Sequence, residues 1–162
     1  MNDAFIFRQP TLQDGMAVYQ LIQDCPPLDT NSSYCNLLQC SHFAATSIAA
    51  FDAHQHLVGF ISGYTLADSP NTLFIWQVAV TRQARGKSLA KQMLNHLIER
   101  ITPQFIHTTI TDDNQPSWGL FRAIAHQHNV PLADKPYFDS QQHFAGAHPS
   151  EQLVILGPFQ AA

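Results

Sequence analysis

The stretch VAVTRQARGKSLAKQML (Val78–Leu94) concentrates the cationic chemistry of the chain: Arg82, Arg85, Lys87 and Lys91, four of its eight Lys and Arg residues, fall within ten positions. An apolar run enters a turn and a helical pattern leaves it. A helix start presents unpaired backbone N–H groups and the positive end of the peptide dipole. Gly86 lets the backbone come close to a ligand, Ser88 is small, and Arg85 and Lys87 add charge. The combination suits a pyrophosphate. The GxxxxGK[ST] spacing of a Walker loop is absent, and so is the GxGxxG of a dinucleotide site. The plainer reading of the same charges is a solvated helix face. A second polar concentration, LDTNSSYCNLL (Leu28–Leu38), reads either as a solvated loop or as the wall of a pocket.

The elements that must carry these segments follow from patterning. Ala4–Arg8 reads as a strand. Thr11 and Asp14 form a capping-box pattern, with Val18, Leu21, Ile22 and Cys25 at helical spacing behind them, until Pro26-Pro27 ends the helix. Tyr34, Leu37 and Leu38 suggest a short second helix, with Asp29, Asn31 or Ser32 as its cap. Ala44–Phe51 and Leu57–Leu66 read as a hairpin around the turn Asp52–His56. A turn at Asp68–Asn71 leads to a further strand, Thr72–Thr81. Ser88–Ile101 reads as a helix with Leu89, Met93, Leu97 and Ile101 inward, Phe105–Thr111 as a strand and Ser117–His126 as a helix. Two short strands are expected near Tyr137–Asp139 and Leu153–Leu156. The order β-α-α-β-β-β-α-β-α-β-β predicts an α/β (α+β) fold, a mixed, mostly antiparallel sheet flanked by helices.

Bulk properties narrow the function class. A chain of 162 residues is read as a single domain, 1–162. The net charge of −4 argues against nucleic acid as the main partner. No apolar run is long enough for a bilayer, and the N-terminus lacks the pattern of a secretory signal, so a membrane is not expected. Cys25, Cys35 and Cys40 are odd in number and match no zinc spacing, which suits reduced thiols in a cytoplasm and no metal.

QARGKS (Gln83–Ser88) closely resembles the (Gln/Arg)-x-x-Gly-x-(Gly/Ala) element of the GCN5-related N-acetyltransferases, the GNAT superfamily. The strand before it, the helix after it and TTITDDNQPSWGLF (Thr108–Phe121) fit the same pattern. The resemblance implies the fold of that superfamily and acetyl-CoA as acetyl donor. It places Gln83, Arg85, Gly86, Lys87 and Ser88 at the pyrophosphate, the main chain of Val78 and Val80 along the pantetheine arm, and Asn114 near that arm. Ser88 stands where Gly or Ala is usual. Phe121 stands where many members carry the Tyr that reprotonates the thiolate, and a phenyl ring has no proton to give.

LDTNSSY, LFIWQVAV, TTITDDN and the tail YFDSQQHFAGAHPSEQLVILGP are together similar to the L-2,4-diaminobutyric acid acetyltransferases of the ectoine pathway. That likeness spans roughly Phe7 to Pro158. It implies acetylation of the side-chain (N4) amine of L-2,4-diaminobutyrate, and a homodimer. Such a substrate carries two ammonium groups and a carboxylate, so it calls for acidic and hydroxyl acceptors and for donors to the carboxylate. Asp29, Tyr34 and Glu151 are suitable acceptors. Thr30, Asn31, Ser32, Ser33 or amides at a helix start serve the carboxylate. Trp76 offers a cationic amine an aromatic face worth roughly 0.5–2 kcal/mol, or else is a core aromatic.

An alkyl ammonium with a pKa of about 10 is neutral in only roughly one molecule in a thousand at pH 7, so a proton acceptor is required. Glu151, with His148, is the favoured candidate and Asp29 the other. A backbone N–H near Val78 suits the developing oxyanion. Tyr34 or water can take the place of the acid missing at Phe121. His126 and His128, near a helix end, read as structural or as partners of the helix dipole. Two other readings stay open: a transferase for another small amine or a protein N-terminus, and an acetyl-CoA-binding module without turnover.

Overall fold

A computed structural model describes residues 4–160. Seven strands and four helices follow in order: β1 (Ile6–Arg8), α1 (Gly15–Gln23), α2 (Ser33–Gln39), β2 (Ile48–Phe51), β3 (Leu57–Leu66), β4 (Ser69–Val80), α3 (Leu89–Ile101), β5 (Phe105–Thr111), α4 (Gln115–His128), β6 (Leu132–Phe138) and β7 (Glu151–Leu156). The strands hydrogen-bond in the order β1-β2-β3-β4-β5-β7-β6, and the β4–β5 pair is parallel. Two compact units divide the chain. The first gathers the residues up to Tyr64 with Ile75–Ile101, the second Thr65–Phe74 with everything from Thr102 onward.

In the first unit, Val18, Leu21, Ile22 and Cys25 of the α1 region pack with Cys40, Ala49, Phe51, Phe60 and Ala79. Each large side chain buried this way contributes about 1.5–3 kcal/mol. Leu89, Met93, Leu94, Leu97 and Ile98 form the buried stripe of α3. A Cβ on Gly59 would lie 2.8 Å from Met93 Cε and 3.1 Å from Leu89 Cδ2, so β3 accepts α3 at this point because glycine leaves the room. At the start of α1, Asp14 accepts from the Thr11 N–H at 2.7 Å and forms a two-pronged pair with Arg8 at 2.8 and 3.1 Å. Burial pushes the Asp14 carboxyl up, but the bonds from Arg8 and Thr11 outweigh it and leave it below the ordinary carboxylate value.

In the second unit, β5 pairs with β4 and with β7, from Ile106 opposite Leu156 to Thr111 opposite Glu151. Leu73, Ile106, Ile110, Phe121, Ile124, Val154 and Leu156 are buried. Gly157 has φ +130, and a Cβ there would come within 2.7 Å of the Gln104 carbonyl, so only glycine fits.

Several boundaries differ from those read in the sequence. Ala44–Thr46 is a 3₁₀ turn and β2 starts at Ile48. Thr46 Oγ donates to the Gly63 carbonyl at 2.6 Å and Arg100 to the Ser47 carbonyl at 2.6 Å, side-chain ties that outweigh the strand propensity. β4 begins at Ser69 rather than Thr72, because Pro70 occupies an exposed stretch where a missing N–H costs little. Ser88 lies outside α3. α4 extends the expected Ser117–His126 at both ends, with Asn114 as N-cap and a left-handed Asn129 as C-cap. β6 lies almost entirely before the expected Tyr137–Asp139. Its residues from Ala133 to Phe138 are all exposed, so no apolar alternation marks them, and pairing with β7 makes it a strand.

Candidate active site

The basic turn of the first unit is held at both ends and open between. Ala84 and Leu89 are buried, while Arg85, Gly86, Lys87 and Ser88 are exposed. The Thr81 N–H donates to the Val58 carbonyl at 2.9 Å, which ties the end of β4 to β3. A 3₁₀ turn, Arg82–Ala84, follows. Gly86 (φ +78) and Ser88 (φ +57) are both left-handed, and Lys87 between them is not. Left-handed residues that alternate with others are the pattern from which backbone anion nests are built, and here the pattern precedes α3. Gln92 on α3 donates from its side chain to the Lys87 carbonyl at 3.0 Å and from its N–H to Ser88 at 3.0 Å, locking turn to helix. Ser88 thus adopts a conformation that usually favours glycine and is held there at a conformational cost.

Arg85 and Val80, both expected at the cofactor, are joined to each other. Arg85 Nε donates to the Val80 carbonyl at 3.3 Å, and the Cys25 thiol approaches the same oxygen at 3.4 Å. A ligand arm would compete with both for that oxygen. Cys25, Cys35 and Cys40 are free thiols, and burial, with the Asp14 charge behind it, pushes Cys40 up to about 11.

The polar segment of the same unit resolves into ordered parts. Leu28 packs against the core cluster. Asp29 and Thr30 are exposed, and Asn31 is half-buried. Of the three cap candidates, Ser32 caps α2, accepting from the Cys35 N–H at 3.1 Å. Ser33 is the first residue of α2, and Tyr34 beside it is 70% exposed. Asn31 Nδ2 donates to Gln77 Oε1 at 3.1 Å, and Gln77 Nε2 donates to the Asp29 carbonyl at 2.8 Å. The structure thus brings Asp29 and Asn31 to the strand that carries Trp76, Val78 and Val80. Trp76 is 38% exposed, not a core aromatic, and stands edge-on to Phe43 and Tyr64 at 5.9 and 5.8 Å between ring centres.

Gln77, Phe43 and Tyr64 were not marked by the sequence reading. A signal for Gln77 was present: one amide inside the apolar run TLFIWQVAV must find partners.

The second unit carries the remaining candidates. Asn114 caps α4, its Oδ1 accepting from the Ser117 N–H at 3.3 Å. Trp118 Nε1 donates to the Thr111 carbonyl at 3.0 Å, and Phe121, 2% exposed, is part of the interior. Glu151 is half-buried at the start of β7, opposite Thr111 on β5 and Phe138 on β6. His148 donates Nδ1–H to the Pro149 carbonyl at 2.7 Å, with its ring 4.6 Å from that of Phe144. The loop between β6 and β7 is well knit. Asp139 accepts from the N–H groups of Gln141 and Gln142, which hold its carboxyl below the ordinary value, and the Ser140 N–H donates to Ser150. Among the described residues no group of three or more His, Cys, Asp or Glu could hold a metal, and no helix is long and apolar enough to cross a membrane.

Comparison with known proteins adds three findings. The acetyltransferase (GNAT) family model matches residues 15–125. The L-2,4-diaminobutyric acid acetyltransferase of Methylotuvimicrobium alcaliphilum is 48% identical over 94% of this chain and 90% of its own, and that of Vibrio cholerae is 46% identical over 98% and 92%. The diaminobutyrate acetyltransferase of Paenibacillus lautus, solved with L-2,4-diaminobutyric acid and coenzyme A, superposes with a TM-score of 0.92 at 33% identity over 99% of both chains.

Proposed function

This chain is an acetyltransferase of the GNAT family, and on that premise we propose that it moves the acetyl group of acetyl-CoA to the side-chain (N4) amine of L-2,4-diaminobutyrate, giving N4-acetyl-L-2,4-diaminobutyrate. The observation that carries the reading is the likeness over 99% of the chain to an enzyme solved with that diamine and coenzyme A. The whole chain is read as one acetyltransferase domain.

The roles follow from chemistry. The nest at Gly86–Ser88, with Gln83, Arg85 and Lys87 around it, is built for pyrophosphate, and the Val78 and Val80 main chain and the helix cap Asn114 serve the pantetheine arm. Acetyl-CoA supplies an activated carbonyl and a thiolate leaving group. Asp29, Thr30, Tyr34 and Trp76 recognise the diamine. Glu151 takes the ammonium proton, with His148 beside it in sequence, and a Val78 N–H stabilises the negative charge that develops on the acetyl oxygen. Tyr34 or water returns a proton to the thiolate, since Phe121 has none. Glu151→Gln is expected to lower kcat at least 100-fold and leave acetyl-CoA affinity within about threefold, the size of a lost general base. Wild-type kinetics in that variant would remove Glu151 from the reaction.

The product places the enzyme in the synthesis of ectoine, a compatible solute made under osmotic stress. Three free thiols support a cytoplasmic setting. A homodimer is supported by the exposed β6, whose Tyr137 and Phe138 present aromatic surface at the end of the strand order. The test of substrate class is thiol release from acetyl-CoA with diaminobutyrate, ornithine and lysine. Fastest turnover of diaminobutyrate is expected; equal rates on all three would contradict the narrow reading.

A further inference from the structure

We propose that Gln77 is a positioning residue that sets the spacing of the amine subsite and thereby selects the length of the diamine. The inference rests on the acetyl-transfer reading above and deepens it. Gln77 sits on β4 between Trp76 and Val78, half-buried, in a strand whose Ile75 and Ala79 are buried. Its one planar amide makes two bonds to a segment 46 and 48 residues earlier, accepting from Asn31 Nδ2 at 3.1 Å and donating to the Asp29 carbonyl at 2.8 Å. Two bonds from one rigid group fix a three-residue segment in both distance and rotation.

The residue so fixed, Asp29, offers the carboxylate for an ammonium group. The residue next to Gln77, Trp76, offers the aromatic face. The length of the Gln77 side chain therefore gauges the gap between the acidic acceptor and the strand. Diaminobutyrate, ornithine and lysine differ by one methylene each, and a fitted site separates neighbours in such a series by roughly 10–200-fold. A loop free to shift by about 1 Å would accept the longer amines and lose the near-attack geometry of the short one. One amide N–H of Asn31 is engaged in this brace, which makes Asn31 a support for the loop and leaves its second N–H for the substrate carboxylate.

The test compares wild type with Gln77→Ala, Gln77→Glu, Asn31→Ala and the double variant Asn31→Ala/Gln77→Ala. Each is assayed with diaminobutyrate and ornithine, and the melting temperature is recorded. Gln77→Ala is expected to narrow the ratio of kcat/KM between the two amines about tenfold, through the amine KM, with the acetyl-CoA KM within twofold. Gln77→Glu keeps an acceptor for Asn31 but loses the donor to Asp29, and is expected between wild type and alanine. The double variant is expected to match Gln77→Ala within twofold, because both changes remove one brace. An unchanged ratio in folded Gln77→Ala, or additive losses in the double variant, would overturn the proposal. Should Gln77→Ala fail to fold, Asn31→Ala, on an irregular segment, carries the same prediction.

Amide hydrogen exchange separates this claim from the function it rests on. Faster exchange across 28–32 in Gln77→Ala, with 82–88 unchanged, supports the brace even if wild type acetylates neither amine, an outcome that would sink the substrate reading instead. Unchanged exchange across 28–32 overturns the brace.

Discussion

Two segments of the first unit, proposed for the two ends of one reaction, are held in different ways. The turn Arg82–Ser88 is shaped by its own backbone, with two left-handed residues, a 3₁₀ turn and buried anchors at Ala84 and Leu89 close by in sequence. The segment Asp29–Asn31 is shaped from afar, by the amide of Gln77 on β4. The first suits a ligand whose charge is the same in every member of a superfamily. The second suits a ligand that differs between members, because a side chain is replaced more easily than a backbone path. On the proposed roles, general affinity rests in main chain and selectivity in side chains.

That contrast can be broken, and the largest effect is expected at Gly86. A Cβ there would meet nothing within 4 Å, so its cost is conformational and not steric crowding. At φ +78 a β-branched residue is strongly disfavoured. Gly86→Val is expected to raise the acetyl-CoA KM about 5- to 30-fold, matching a strain of roughly 1–2 kcal/mol, with the amine KM within twofold. A shift in the amine constant instead would mean that the turn is not the anion end.

Asp29→Asn comes next. It removes the charge but keeps the backbone carbonyl that Gln77 holds, and is expected to raise the amine KM about tenfold, the lower range for a bond to a charged group. A change confined to the acetyl-CoA constant would move this segment to the other end of the reaction. Trp76→Leu is expected to raise the amine KM only about two- to fivefold, since an exposed aromatic face offers a cation roughly 0.5–1 kcal/mol. No change at all would leave Trp76 as a surface aromatic supported by Phe43 and Tyr64.

The smallest effect is expected at Ser88→Gly. Relief of the left-handed conformation stabilises the folded state, while glycine's freedom in the unfolded chain opposes it. The melting temperature should rise by a few degrees or less, with both KM values within twofold of wild type. A large loss of acetyl-CoA affinity would show that the hydroxyl itself binds the anion.

The same contrast explains what could be read in the sequence. The basic turn was legible because a strand, a glycine, a small residue and a helix are consecutive, and their joint geometry is local. The Ser32 cap stood among three candidates for the same reason. The Gln77 brace was not legible, since no local rule pairs position 77 with 29 and 31. Trp76 was divided between an aromatic face for a cationic amine and a core aromatic because the strand pattern around it is apolar on both sides. β6 was mostly missed because Asp134, Lys135 and Pro136 interrupt LADKPYF and leave no apolar alternation, so it gains its identity from β7. The starts of β2 and β4 slipped by three or four residues where side-chain ties or an exposed proline override propensity.

The proposed reaction puts one acetyl group on the side-chain nitrogen of a diamine. The direct measurement is the structure, by NMR and mass spectrometry, of the product formed from L-2,4-diaminobutyrate and acetyl-CoA by the purified protein. A single product is expected, N4-acetyl-L-2,4-diaminobutyrate, with one thiol released per molecule formed. An N2-acetyl or diacetyl product, or no thiol release above background, would contradict it.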